Sequence, residues 1–149
     1  MEKLYLAAPL FSKAELTFNQ KVNDKLKSFF DVYLPQNDGL LMEELVEDNV
    51  TPDIAGKHIL KEDKKAIKES DVLLAVLDGR SVDEGVAFEI GYAYALNTPC
   101  YGLQTDPRRL LPVGNNPMIQ NSLINIFGNY QELLDWASKR GTKTTTKKK

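Results

Sequence analysis

Cysteine and histidine are nearly absent from this chain, whose 149 residues contain one of each, Cys100 and His58. A single cysteine excludes an internal disulfide framework and fits a reducing compartment, so we expect a cytoplasmic protein. One histidine and one cysteine cannot form a cluster with the spacing of zinc ligands, which argues against a zinc site. We assign structural roles to both residues.

Long apolar runs and phosphate-binding loops are missing as well. The longest apolar stretches are residues 72–77 and the neighbourhood of residues 90–96, far shorter than the ~20 residues that span a bilayer. The first five residues lead straight into a strand-like segment and leave no room for a signal peptide. No segment reads G-x-G-x-x-G or contains a Walker lysine, which excludes the usual dinucleotide and nucleoside triphosphate cradles. We expect no membrane partner.

Positive charge is scarce outside the C-terminus. The chain has a net charge of −2, but residues 139–149 hold six of its nineteen basic residues and no acid. The other 138 residues carry 13 basic and 21 acidic side chains, a net charge of −8. Such an acidic body is a poor partner for a nucleic acid polymer. We expect one domain over residues 1–138 and a low-complexity tail over residues 139–149, a basic arm or a vector-derived scar, that is disordered.

Apolar segments that alternate with amphipathic ones predict an α/β protein. Strands are predicted at residues 3–8, 32–34, 71–78, 99–103 and 124–127. Helices are predicted at residues 54–69, 84–96 and 130–138, and after a Ser12 cap with an apolar face of Leu16, Val22, Leu26 and Phe29. This alternation indicates a flavodoxin-like open five-stranded parallel sheet with helices on both faces. The acidic segment 36–53 is long for a connection, and we expect it to be a lid or pocket wall.

Carboxylates collect at the predicted strand ends, where the ligands of such sheets bind. Residues 7–11, 35–39 and 78–85 form the three loops there, and they contain Asp38, Asp78, Asp83 and Glu84. The arrangement predicts a site whose chemistry uses carboxylates rather than cations.

Glu89 is the only charged side chain from residue 85 to the end of its predicted helix. A lone carboxylate on an apolar helix either has a partner or lies at a cleft. The alternative is an acid on a narrow solvent-exposed stripe, and composition alone leaves the two equally open. Gly85 lies one turn earlier on the same face, where the missing side chain leaves space for a small ligand.

Residues 83–93, DEGVAFEIGYA, resemble the signature of the nucleoside 2-deoxyribosyltransferase family. Other pieces match in order over residues 3–136: Tyr5 with the following Ala-Ala-Pro, PQNDG at residues 35–39, Asp63, and Asn-Pro-Met at residues 116–118. The resemblance implies an enzyme that transfers the 2-deoxyribosyl group between the bases of 2'-deoxynucleosides. Glu89 would attack C1' to form a covalent intermediate, with overall retention and without a metal or organic cofactor.

The same resemblance implies further roles, each with a structural alternative. Tyr5 would orient the Glu89 carboxylate by a hydrogen bond, or serve only as a core aromatic. Asp63 would contact or protonate the leaving base, or be a solvated helix acid. Asp83 would bind the sugar 5'-hydroxyl, or cap its helix. Asn37 and Asp38 would line the base pocket, or form the turn after Pro35.

The resemblance also implies a homo-oligomer, a dimer or a trimer of dimers, with shared active sites. Asn116 and Met118 would reach the site of a neighbouring subunit. The surrounding sequence is loop-like, so Asn115 or Asn121 can take the place of Asn116 in this role. The partners are therefore a 2'-deoxynucleoside, a free purine or pyrimidine base and a second copy of the chain.

Three other functions compete with this one. A 2'-deoxynucleoside 5'-monophosphate N-glycosidase would share the glutamate but hydrolyse nucleotides, which would put a phosphate beside Asp83 at a cost of several kcal/mol at an effective dielectric constant of ~20. A non-catalytic nucleoside-sensing module would not require Glu89, Asp83 and Tyr5 together. A flavodoxin would need a Ser/Thr-rich phosphate loop, which the first loop lacks.

Overall fold

A computed structural model describes residues 1–145, with side chains described through residue 141. Five parallel strands form one sheet in the order β2-β1-β3-β4-β5. The strands are β1 (Lys3–Ala7), β2 (Asp31–Tyr33), β3 (Val72–Val76), β4 (Cys100–Leu103) and β5 (Asn125–Phe127). The helices are α1 (Lys13–Leu26), α2 (Pro35–Asp38), α3 (Met42–Glu47), α4 (Pro52–Lys68), α5 (Glu84–Ala95), α6 (Pro117–Ser122) and α7 (Tyr130–Thr145). The predicted α/β fold with an open five-stranded parallel sheet is confirmed.

Strand β1 shows how alternating side chains separate the two faces of the sheet. Leu4 and Leu6 pack into a core with the buried faces of α1 and α7. Tyr5 points the other way, into a core that includes Ile67 of α4 and Ile90 of α5. Helices therefore cover both faces, and everything that Tyr5 contacts through its side chain lies on the α4–α5 side.

The segment from residue 36 to residue 53, expected to be a lid or pocket wall, is largely helical. It contains most of α2, all of α3 and the first residues of α4. Pro35 and Pro52 stand in the first turn of α2 and α4, where their fixed φ and missing N–H suit a helix start. Helix α4 therefore begins at Pro52 rather than at residue 54, and α3 packs against it.

The first helix begins as predicted but buries different residues. Ser12 and Glu15 form a reciprocal capping box. The buried face consists of Val22 and Leu26 together with two asparagines, Asn19 and Asn23, whereas Leu16 is exposed and Phe29 lies beyond the helix end. The Asn19 amide is used: it donates to the Pro9 carbonyl at 2.7 Å and to the Gln36 side chain at 2.9 Å.

The last helix is longer than predicted. Helix α7 runs to Thr145 instead of ending at residue 138. The Arg140 guanidinium donates to the Glu2 carboxylate at 2.6 Å, which fastens the helix to the beginning of β1. Residues 146–149 of the predicted tail lie outside the described residues. Within residues 1–145, no helix combines the length and the apolarity that crossing a membrane requires.

Candidate active site

Glu89 lies in the second turn of α5, on the flank that faces α4. The helix buries Val86, Ile90 and Ala93 against the sheet at helical spacing. Glu89 is next to this buried stripe and is itself partly buried. One turn further on, Lys64 of α4 lies over the Tyr92 ring, 5.2 Å from its centroid. The carboxylate therefore points into the junction of α4, α5 and the sheet rather than into bulk water.

Tyr5 of β1 binds the Glu89 carboxylate from the side of the sheet. The Tyr5 hydroxyl donates a hydrogen bond of 2.5 Å to Glu89 Oε1. The Tyr5 side chain is 0% exposed, so water cannot replace this bond from the Tyr5 side. Burial and the neighbouring carboxylates of Glu89 and Asp63 raise the pKa of Tyr5 far above its usual value. Tyr5 is consequently a permanent neutral donor.

Asp63 brings a second carboxyl group to the site from α4. Its Oδ1 atom is buried and has no hydrogen-bond partner, an unfavourable arrangement for an ionised carboxylate. Burial, and to a lesser extent the charge of Glu62, raise the pKa of Asp63 to about 6. A carboxyl group with this pKa can give a proton to a departing group near neutral pH.

The environment of Glu89 opposes its ionisation. Burial raises the pKa of Glu89 to about 8, and the charges of Asp63 and Asp83 act in the same direction, while the hydrogen bond from Tyr5 lowers it. An anion held in a poorly solvated site close to other carboxylates is well suited to stabilise positive charge that develops on a ligand. The arrangement favours a substrate that becomes cationic in the transition state.

Asp83 caps α5 and leaves half of its carboxylate unused by the cap. Its Oδ2 atom accepts from the backbone N–H groups of Gly85 and Val86 at 2.9 and 3.1 Å, so the structural role proposed for Asp83 is real. Oδ1 takes no part in these two bonds. A Cβ atom at Gly85 would lie 3.1 Å from Asp83 Oδ2, so a larger residue here would crowd the capping carboxylate.

Comparison with known proteins shows which family the chain belongs to. A family model described as nucleoside 2-deoxyribosyltransferase matches residues 4–137. The chain belongs to the nucleoside 2-deoxyribosyltransferase family. This family consists of enzymes that act on nucleosides, and no curated protein sequence matches the chain significantly.

Three solved structures illustrate the similarity. A conserved protein from Enterococcus faecalis V583 is 28% identical, with 94% of this chain and 99% of that chain covered and a TM-score of 0.76. A 2-deoxyribosyltransferase from Bacillus psychrosaccharolyticus is 25% identical, with 89% and 90% covered and a TM-score of 0.74. A CMP N-glycosidase from Clostridium botulinum is 20% identical, with 92% and 99% covered and a TM-score of 0.57, and this last likeness shows the shared fold alone.

In this member of the nucleoside 2-deoxyribosyltransferase family, the last two residues of α2 contact different neighbours. The Asn37 amide donates to the Gln20 side chain of α1 at 3.0 Å, so it faces α1 rather than Glu89. Asp38 accepts from the Leu34 backbone N–H at 2.8 Å and lies close enough to Tyr33 to affect its ionisation. Asp38 is thus connected to the Glu89 cluster through Tyr33, and Asn37 is not.

Asn116 and Met118 lie on the opposite flank of α5 from Glu89. They line a cavity of about 420 Å³ together with Ala87 and Gly91 of α5. The Asn116 side chain caps α6 through the Met118 N–H, and the Met118 side chain is 77% exposed. The single chain therefore does not bring these two residues to its own Glu89.

The alternative asparagines are both engaged. The Asn115 amide and the buried Gln104 amide exchange two hydrogen bonds of 2.9 Å. The Asn121 amide donates to the Pro117 carbonyl of its own helix at 2.7 Å. Asn116 is the more available of the three, because its cap uses Oδ1 and leaves its amide nitrogen out of that bond.

One feature of the site was missed from the sequence, and one of the predicted carboxylates has a different role. Tyr33 stacks on Tyr5, with ring centroids 5.4 Å apart and planes inclined by 17°. Asp78, one of the strand-end carboxylates, instead joins the segment after β3 to the segment after β4. It accepts hydrogen bonds from the Thr105 hydroxyl and from the Thr105 and Asp106 backbone N–H groups. In residues 1–145, no group of three His, Cys, Asp or Glu side chains is placed to hold a metal ion.

Proposed function

We propose that this protein is a nucleoside 2-deoxyribosyltransferase that exchanges the bases of 2'-deoxynucleosides through a covalent Glu89–deoxyribosyl intermediate. The hydrogen bond from Tyr5 to Glu89 is the observation that supports it most directly. A buried phenol that donates to a poorly solvated carboxylate fixes the orientation of one oxygen and leaves the other oxygen available for bond formation.

The proposed reaction is a double displacement at C1'. A Glu89 oxygen bonds C1' while the glycosidic C–N bond breaks, and the departing base takes the bonding electron pair. Asp63 supplies the proton that the base needs, which its pKa of about 6 permits. A nitrogen of the second base then attacks C1', the Glu89–C1' bond breaks, and Asp63 takes the proton that the attacking base loses. Two inversions give net retention.

The N-terminus of α5 favours a free nucleoside over a 5'-nucleotide. A helix N-terminus is otherwise a good site for phosphate, but here the Asp83 carboxylate already accepts two of its N–H groups. A phosphate in the same place would meet a negative charge and lack those donors. The uncharged sugar 5'-hydroxyl can instead donate to Asp83 Oδ1.

The deciding experiment mixes thymidine and adenine with the protein and analyses the products by chromatography. We expect deoxyadenosine from the wild type and none from Glu89→Gln. Mass spectrometry after trapping with a slow 2-fluoro nucleoside should place the sugar on the peptide that contains Glu89. Higher activity on dAMP than on deoxyadenosine would favour the N-glycosidase, and binding without product from any donor would favour the sensing module.

A homo-oligomer with shared sites is also part of this proposal. The outer face of α5 exposes Phe88 and Tyr94, and Met118 lies beyond the other flank of the same helix. Large exposed apolar side chains on one helix are typical of an interface with another protein copy. In such an assembly Asn116 and Met118 of one copy would complete the Glu89 site of the next.

A further inference from the structure

Tyr33 packs beside Tyr5 on the β2 side of the candidate site. Tyr5 and Tyr33 are direct partners in the parallel register of β1 and β2, which places their side chains on the same face of the sheet. Their rings are 5.4 Å apart and inclined by 17°, within the range of favourable offset stacking. Tyr5 is completely buried, whereas Tyr33 is partly exposed.

The other face of Tyr33 borders a large groove between β2 and α4. The groove has a volume of about 630 Å³ and is lined by all three residues of β2 and by charged residues of α4. Tyr33 is part of this lining and Tyr5 is not. Removal of the Tyr33 ring would therefore open Tyr5 to the water in the groove.

The position of the Tyr33 ring is restricted on its hydroxyl side as well. A Cβ atom at Gly39 would lie 3.1 Å from the Tyr33 hydroxyl oxygen and 2.8 Å from the Pro35 carbonyl oxygen. The Pro35 carbonyl is the closest atom and by itself favours glycine here, and the missing side chain also leaves room for the end of the Tyr33 side chain. The ring is thus held between Tyr5 and the backbone at Gly39.

We propose that Tyr33 is a positioning residue for the transfer reaction: its ring keeps Tyr5 in the orientation that directs the hydroxyl to Glu89, and it keeps groove water away from this hydrogen bond. The inference rests on the proposed function of Glu89. Tyr33 acts through Tyr5 and does not itself contact the reacting atoms.

Ionisation of Tyr33 has no part in this role. Burial and the surrounding carboxylates raise the pKa of Tyr33 to about 12, so the side chain stays neutral under working conditions. The charged groups that surround the stacked pair are Glu62 and Asp63 from α4, Asp38 from α2 and Glu89 from α5, with His58, Lys61 and Lys65 of α4 further along the groove. The ring itself, rather than the hydroxyl, is the functional part.

The test compares Tyr33→Leu, which removes the stack, with Tyr33→Phe, which keeps it. For Tyr33→Leu we expect a kcat about tenfold lower on the pH plateau, the size of effect that loss of an aromatic pair corresponds to, with little change in KM. Water that enters from the groove would lower the pKa of Glu89, whereas a weaker hydrogen bond from Tyr5 would raise it. Because burial has the larger effect of the two, the pKa should fall on balance and the acidic limb of the pH profile should move to lower pH. Tyr33→Phe should restore both properties.

Tyr101→Leu is the matched control, because it removes a stacked tyrosine from the opposite face of the sheet. It should lower stability without moving the limb. A carbon-13 NMR titration of the Glu89 carboxyl group, assigned with Glu89→Gln, measures the same pKa without any turnover. Tyr33→Val, a residue that suits a strand, replaces Tyr33→Leu if the latter fails to fold.

The outcomes separate this inference from the proposed function. An unchanged Glu89 titration and plateau rate in Tyr33→Leu would overturn the role of Tyr33, as would an equal change in Tyr101→Leu or a Tyr33→Phe variant as impaired as Tyr33→Leu. A wild-type protein without transfer activity would instead overturn the proposed function. In that case the NMR titration still tests whether Tyr33 controls the hydration of Glu89.

Discussion

The proposed reaction requires Glu89 to be ionised, and the folded protein disfavours this ionised form. Burial raises its pKa from 4.5 to about 8, so the folded protein holds a proton on Glu89 that the unfolded chain releases between these two values. Folding stability therefore falls as pH rises through this window and is highest with respect to this group below it. In the proposed reaction the attacking carboxylate is the ionised form, which is the form that the fold disfavours.

A neutral replacement of Glu89 should consequently stabilise the protein at alkaline pH. Because one pKa unit corresponds to about 1.4 kcal/mol, we expect Glu89→Gln to raise the free energy of unfolding by about 2–4 kcal/mol near pH 9 and to change it little near pH 5. Urea denaturation at both pH values measures the difference. Glu43→Gln, an exposed acid of α3, is the control and should show no comparable gain. A Glu89→Gln protein less stable than the wild type at pH 9 would contradict this account.

The hydrogen bond from the Tyr5 hydroxyl stabilises the ionised form of Glu89, since it lowers the Glu89 pKa. Tyr5→Phe should therefore raise this pKa further and move the acidic limb of kcat/KM to higher pH. We expect about a ten- to hundredfold loss of activity at pH 7, the usual range for a misoriented catalytic group, and partial recovery at higher pH. A pH–rate profile checks this, with Tyr92→Phe on α5 as the control. A uniform loss at every pH would mean that Tyr5 orients Glu89 without tuning its charge.

At the scale of the helix, substitutions can separate the capping role of Asp83 from its proposed role in binding the sugar 5'-hydroxyl. Serine is as good an N-cap as aspartate, whereas alanine costs about 1 kcal/mol. Asp83→Ser should keep the wild-type melting temperature and weaken deoxynucleoside transfer through a higher KM, and it should admit 5'-monophosphates better than the wild type. Asp83→Ala should show the same KM effect and a lower melting temperature. An Asp83→Ser variant with unchanged KM would limit Asp83 to its capping role.

The elements most accessible to sequence analysis were those with an unambiguous burial pattern. Strand β3 is buried at every position, and its continuous apolar run identified it as a central parallel strand. Helices α2 and α3 were missed because they are short and mostly exposed, so no apolar stripe marks them. Their only local signals were Pro35 at the start of α2 and the Pro52 that follows α3. The C-terminal end of α7 was missed because its lysine- and threonine-rich sequence is typical of disorder.

Within the candidate site, Glu89 could be singled out as a lone carboxylate on an apolar helix, whereas the other residues could be predicted only as far as the family resemblance reached. Tyr5 and Glu89 are 84 residues apart in the chain, and nothing in their local sequences predicts a hydrogen bond between them. Tyr33 was missed because its contact with Tyr5 depends on the register between β1 and β2, which no turn or spacing fixes in a parallel pair. Asn37 was placed in the base pocket by resemblance, although its side chain bonds to α1.

At the scale of the whole molecule, α5 has more apolar surface than one chain covers. Phe88 is 52% exposed and Tyr94 is 59% exposed, on a helix that buries its opposite face against the sheet. A helix that is apolar on all sides is normally buried on all sides. A second copy of the chain is the partner that would cover it symmetrically, and the same contact would carry Asn116 and Met118 to a neighbouring Glu89.

Shared sites predict complementation between two inactive variants. Glu89→Gln lacks the proposed nucleophile and Asn116→Ala lacks the residue contributed to the neighbour, so each alone should be inactive or nearly so. After mixing and reassembly, half of the dimers are hybrids, and each hybrid has one intact site, so about a quarter of wild-type activity should return. Light scattering should give a mass that is a multiple of 16.8 kDa, and Phe88→Asp should produce monomers, whereas Leu16→Asp on α1 should not. No recovery on mixing, together with a monomeric wild type, would mean that each chain completes its site alone, and Asn116 would then have no catalytic role.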